Sequence, residues 1–380
     1  MPLLFFFLRT FACMKRLVFI KDKTRTMLVL TFVVVAVGLI AIYNARDMQP
    51  KRGHTAFYND IVLKSTPVLD QQGSPLCWIN AMLATIETDR LQLGDSVTLS
   101  PDYLARRFME EQSIPCFFTC LPKEKGKQTV DDGEMNMRGT AMTALRLATR
   151  YGVLPFDSYF PEKSVDWTSL ARKAMTLARS SSSLTKFKES LGNALDRQAG
   201  YLPTAVHMLG ATYTPLEFAH SLFLPGDYVA LSSCTHHPFY SRFVLECPDN
   251  HYNDSCLNVP LDRMMSLIDR ALEQGHAVCW EGCISNDGFD WKRCQSDVSV
   301  NERDKMGSGR RLQDYRQRLI EHRKVTDDHA MCIVGRAHTP DGRRWYLAKN
   351  SWGKTNGLRG YMYLSKEYLE LYTVAIVLHR

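Results

Sequence analysis

VLDQQGSPLCWINA, residues 68–81, joins a turn-rich segment to the start of a helix. From Cys77 onward, Ile79, Met82, Leu83 and Ile86 recur at i, i+3, i+4 and i+7, the apolar stripe of an amphipathic helix. Asn80, Thr85, Glu87 and Asp89 fall on the other side, and Gly94 ends the pattern. Cys77 therefore sits at a predicted helix N-terminus, where the dipole and the unpaired N–H groups favour the thiolate, the reactive form of the side chain. A cysteine nucleophile also needs a base and a group that orients the base. His329 heads a β-type run and Asn350 ends the next one, so two adjacent antiparallel strands would set them side by side. Gln71, six residues before the cysteine, is placed to offer an N–H to an oxyanion beside the Cys77 N–H.

Around this constellation the chain reads as helices first and strands later, which is an α+β organisation with two lobes. A second helix is predicted from about Gly139 to Tyr151, and residues 165–222 read as mostly helical, broken by Ser180–Ser183 and by Gly200 and Pro203. From Asp227 the texture changes to short β-type runs: YVALSS, HAMCIVGRA, RWYLAKNSW, GYMYL and TVAIVL. One late helix, Leu261–Gln274, interrupts them, and Asp341-Gly342 marks a hairpin turn.

Three of these segments resemble the role-bearing segments of the papain-like cysteine peptidases. VLDQQGSPLCWINA is similar to the family's Gln-x5-Cys-Trp nucleophile segment, DDHAMCIVG to its histidine segment and LAKNSWG to its asparagine segment. MTALRLATRYGVLPFDSYFP resembles the family's second helix and following loop. DYVALSSCTHHPFY and LNVPLDRMMSLIDRAL are closer to the bleomycin-hydrolase-like (aminopeptidase C-like) branch than to papain. The resemblance runs in order over roughly residues 61–372. It implies a two-lobed papain-like fold, with a helical left lobe, a β-barrel-like right lobe and a helical insertion at about 165–222. It implies Cys77 as nucleophile, His329 as general base and acid, Asn350 as the orienting residue and Gln71 as oxyanion donor, with Trp352 shielding the His–Asn pair. A peptide or protein is the implied substrate, and no metal or cofactor is implied. The alternative is a non-catalytic peptide-binding protein of the same fold; an acyltransferase or amidase has no second acceptor site to mark it.

The chain also departs from the family. Pro75 and Leu76 stand where a Gly-containing approach to the cysteine is usual, and the glycine pair that lines the substrate in papain is not identifiable. Residues 44–76 are too few for a folded inhibitory propeptide, and residues 351–380 too few for a C-terminal arm that blocks the cleft. The latter favours attack within chains over removal of single N-terminal residues.

The formal charge of +7 is lodged at the N-terminus. Residues 1–52 hold nine basic and two acidic side chains, whereas residues 53–380 hold 38 of each, so the body offers no electrostatic footprint for nucleic acid. Met27–Tyr43, MLVLTFVVVAVGLIAIY, is uncharged and would span roughly 25 Å as a helix, near the lower limit for crossing a bilayer. Six basic residues precede it and three follow it, which predicts a cytoplasmic N-terminus at 1–26. Residues 27–44 then read as a transmembrane anchor or a cleaved signal segment, 45–60 as a linker and 61–380 as the peptidase domain. Either reading puts the body outside the cytoplasm, in the cell envelope, periplasm or a lumen, or secreted. Eleven cysteines in an exported chain suggest some pairing, with Cys247 and Cys256 bracketing a loop; buried free thiols are the alternative. No C-x-x-C pair supports a zinc site.

Overall fold

Helix α1 (Cys77–Gln92) begins at Leu76, which gives it no side-chain cap, so its first N–H groups stay free at the Cys77 end. The structure is a computed structural model and describes residues 55–120, 135–161, 163–208 and 210–380. The apolar stripe of α1 is buried as its spacing predicts, but so is its polar side: Asn80, Thr85, Glu87 and Asp89 are each under 8% exposed. The reason is position. Packed against strands on one side and helices on the other, α1 has no solvent face.

Strand β1 (Tyr58–Val62) precedes it, so the folded unit, Phe57–Arg380, starts inside the stretch expected to be linker. After α1 come α2 (Pro101–Thr119), capped by Ser100 with Pro101 in its first turn, and α3 (Ala141–Tyr151), capped by Thr140. Next are α4 (Trp167–Ser180), capped by Asp166, and α5 (Leu184–Ala199), capped by Ser183. The segment 165–222 is not helical throughout: a small hairpin, β2 (Val206–Met208) with β3 (Ala211–Tyr213), separates α5 from α6 (Pro215–Leu222). Trp78, Tyr103, Phe108, Trp167 and Phe187 fill the core among these helices.

The later strands form the sheet that the β-type runs predict. They are β4 (Tyr228–Ser232), β5 (Arg242–Val244), β6 (Ser255–Asn258), β7 (Val278–Gly282), β8 (Phe289–Asp290) and β9 (Gln295–Ser296). They continue with β10 (His329–His338), β11 (Arg344–Lys349), β12 (Tyr361–Ser365) and β13 (Thr373–His379). Helices α7 (Leu261–Glu273), α8 (Val300–Met306), α9 (Gly309–Glu321) and α10 (Lys366–Tyr372) interleave with them. The strand order is β5-β6-β4-β13-β7-β10-β11-β12-β9-β8, with β1 on β10. Strands β7 and β10 are antiparallel, with His329 opposite Gly282 and Ala330 opposite Glu281. Strands β10 and β11 are antiparallel too, and β11 leads directly into Asn350.

The Cys247–Cys256 staple does not form. All ten cysteines among the described residues are free thiols, and most are buried as small apolar groups. Met27–Tyr43 lies outside the described residues. Among the described residues no helix is long and apolar enough to cross a membrane.

Candidate active site

Cys77, His329, Asn350 and Gln71 are brought to one place. Cys77, His329 and Gln71 line a single cleft with a cavity of about 180 Å³, and Asn350 stands behind His329. The His–Asn contact follows from the β10–β11 hairpin. His329 Nε2 donates to Asn350 Oδ1 at 2.8 Å, and the Ser351 N–H donates to the same oxygen at 2.7 Å. The second bond fixes which end of the amide is oxygen, so the proton of a neutral His329 sits on Nε2. That leaves the Nδ1 lone pair on the other edge of the ring. Trp352 packs on the imidazole with centroids 4.7 Å apart, and Phe289 and Trp291 pack edge-on to Trp352. His329 is 3% exposed.

Gln71 is held from both ends of its amide. Nε2 donates to the Ser74 carbonyl at 2.7 Å and Oε1 accepts from the Ser351 hydroxyl. One of its two amide hydrogens is thus committed, and the other makes no bond among the described residues. Ser351 ties Gln71 to the asparagine segment, a link that residue spacing could not show. Trp78 Nε1 donates to the carbonyls of Pro75 and Met137, pinning residues 135–139 across from the nucleophile loop. Gly139 then lies so close that a Cβ there would meet the Trp78 ring at 2.9 Å. Arg138, Gly139, Glu281 and Asp327 complete the cleft wall, and none stood out in the sequence.

Residues 207–380 match the Peptidase C1-like family. Aminopeptidase E of Lactobacillus helveticus is 28% identical over 44% of this chain and 39% of its own length. Aminopeptidase G of Lactobacillus delbrueckii subsp. lactis is 22% identical over 84% of this chain and 82% of its own. The crystal structure of PepW from Lactobacillus rhamnosis HN001 superposes with a TM-score of 0.64 at 18% identity, over 85% of this chain and 82% of that one, which shows the shared fold. The match over residues 207–380 and these relatives support a papain-like cysteine peptidase family for this chain.

Cys77 and His329, the candidate nucleophile and base, are both electrically neutral in the unliganded cleft. Burial pushes the Cys77 thiol up to about 11, an effect opposed by the backbone N–H groups of Ala330 and Trp78 and reinforced by Glu281. Burial holds His329 down at about 4, against the pull of Asn350 and Asp328. Helix position alone predicts a thiolate; desolvation wins over the helix terminus here. Among the described residues no hydrogen bond joins Cys77 to His329, a contact that commonly tightens only when substrate is bound.

A separate donor cluster, His236, His237 and Glu246, brings its ligating atoms within 4.8 Å of one another. Gln317 Oε1 accepts from the Thr235 N–H and its Nε2 donates to His236 Nδ1, each at 2.8 Å. His236 Nε2 therefore carries a proton towards Glu246 and offers no lone pair to a metal ion.

Proposed function

We propose that this peptidase hydrolyses peptide bonds through a thioester on Cys77. His329 Nδ1 takes the thiol proton as the sulfur attacks the carbonyl carbon. The tetrahedral oxyanion is met by the free N–H of Gln71 and the Cys77 backbone N–H, left uncapped at the start of α1. His329 then gives its proton to the leaving amine, which departs and leaves the acyl group on sulfur. A water molecule, deprotonated by His329, releases the acid and restores the thiol. Asn350 holds the ring in the tautomer that this sequence requires. The observation that supports the reading most is the His329–Asn350 hydrogen bond, with its oxygen fixed by Ser351 and its outer side roofed by Trp352.

The test is Cys77→Ala in the purified chain. Peptide hydrolysis is expected to vanish while the thermal unfolding profile stays within a few degrees, since the change removes a single sulfur atom at the start of α1. Turnover within tenfold of wild type would remove Cys77 from this role. A free and an N-acetylated peptide of one sequence distinguish the mode: cleavage of both indicates attack within chains, and cleavage of the free one alone an aminopeptidase.

The same proposal includes export, through Met27–Tyr43 as anchor or signal. The free thiols remove the disulfide argument for that compartment, and the six-to-three basic asymmetry supports it. A reporter that folds only in the cytoplasm, fused after Arg380, is expected to stay dark.

A further inference from the structure

The cleft wall beside Cys77 carries more carboxyl groups than cations to pair with them. Four carboxylates line it, on Asp249, Glu281, Asp327 and Asp328, against one guanidinium, on Arg138. Two of the four are accounted for. Asp249 Oδ2 accepts from Arg138 Nε at 2.7 Å, and Asp328 accepts from the Ile284 and Ser285 N–H groups at 2.6 and 3.1 Å.

Glu281 and Asp327 are different. Glu281 is 2% exposed; its Oε1 accepts from the Ala141 N–H at 3.2 Å, while Oε2 has no partner. Asp327 is 7% exposed; the Cys247 thiol bonds to its carboxyl group and Arg138 lies nearby, but its Oδ2 has no partner among the described residues. The sheet register brings them to the nucleophile, because Glu281 lies opposite Ala330 and Asp327 precedes His329 by two residues. An unpaired buried carboxylate is costly to keep. Among the described residues no cation bonds to Glu281, and burial together with Asp327 and Asp249 pushes its carboxyl well above the usual range.

We infer that Glu281 and Asp327 form a recognition pocket for a cationic group of the substrate, an ammonium or guanidinium close to the scissile bond. This deepens the peptidase reading and rests on it. A bound cation would supply the partner that Glu281 Oε2 and Asp327 Oδ2 lack, and the nearby Arg138 is already engaged by Asp249. A neutral aliphatic side chain would leave both oxygens desolvated and unpaired, so discrimination comes from rejection as well as attraction. The cation has two possible sources with the same chemistry, a Lys or Arg side chain or the free N-terminus of the peptide.

The test uses the full chain and paired peptides. Arginine is compared with citrulline, and lysine with norleucine, at each position flanking the scissile bond, with the N-terminus free or acetylated. Wild type is expected to favour the cationic member of at least one pair tenfold or more in kcat/KM. Glu281→Gln and Asp327→Asn are each expected to cut that ratio at least tenfold. A preference that follows the side chain, or one that follows the free terminus, identifies the source. Turnover with a wild-type ratio of one or below overturns the inference alone, as does a ratio unchanged in both variants. If no peptide turns over and Cys77 does not react with iodoacetamide, the peptidase reading falls and this inference with it. The wild-type ratio decides by itself if a variant fails to fold.

Discussion

The two residues that would exchange a proton are held neutral by the same cause, removal from water, and this has a measurable sign. Cys77 is raised from 9.0 to about 11, so near pH 7 almost all of it is thiol. His329 is lowered from 6.5 to about 4, so near pH 7 it is unprotonated and able to accept. Below its pKa, the thiolate fraction grows about tenfold per pH unit. Alkylation of free Cys77 by iodoacetamide should therefore accelerate continuously from pH 6 to 9 in the unliganded enzyme. A rate already flat across pH 5–8 would mean that a thiolate–imidazolium pair exists before substrate arrives. The four candidate residues that the structure brings together were legible in the sequence because each stands in a short segment whose residue types follow from the proposed chemistry. Glu281 and Asp327 were not legible, since their meaning comes from strand register and from partners they lack.

At the scale of elements, α1 carries the argument, through the polar face that a periodicity reading assigns to solvent. Glu87 Oε1 accepts from the Leu99 N–H at 2.7 Å and Oε2 from the Thr66 hydroxyl. Lys349 Nζ donates to that hydroxyl at 2.8 Å and lies 4.0 Å from Glu87, both side chains being buried. Asp89 accepts from the Ala277 N–H and the Tyr228 hydroxyl, each at 2.8 Å. These bonds tie α1 to β1's following loop, to β11, and to the strands β4 and β7. Burial pushes Glu87 up and Lys349 down, and each charge opposes the shift of the other. Glu87→Ala should destabilise by about 3–5 kcal/mol, because it strands a buried ammonium. Glu87→Leu with Lys349→Met should recover much of that, as read from urea midpoints. The helix itself was legible from its stripe, but a stripe cannot say what lies against the opposite face. Helix α2 shows another limit. Its start, Ser100-Pro101, is a clear cap signal, yet Pro115 within the helix interrupts a pattern otherwise easy to follow.

Across the whole molecule, the later strands were readable one by one, but their order was not. TVAIVL reads as a terminal strand, and the fold places it, as β13, between β4 and β7 in the sheet. Deleting residues 373–380 should therefore cost far more than a frayed terminus. It removes a ladder on each side and the Thr373 contacts to Trp280 and Arg316. The expected outcome is an insoluble chain, or one that has lost cooperative unfolding by circular dichroism. A soluble truncation with an intact melting transition would contradict this. Long-range pairings of this kind depend on sequence separation, which no local pattern encodes.

The same placement sets an order of events during synthesis. Cys77 emerges from the ribosome early, but β4 and β7 stay unjoined until β13 follows. At about 5–20 residues per second, the chain from the end of β7 to the end of β13 takes roughly 5–20 s to make. During that interval two strand edges are open, and they invite mispairing or chaperone capture. The hairpin that carries His329 rests on β7, so in the nascent chain the proposed nucleophile is present before the proposed base is firmly seated. A broken or stalled translation product would then be inert, and the cell would meet a working protease only after the last strand has slotted home.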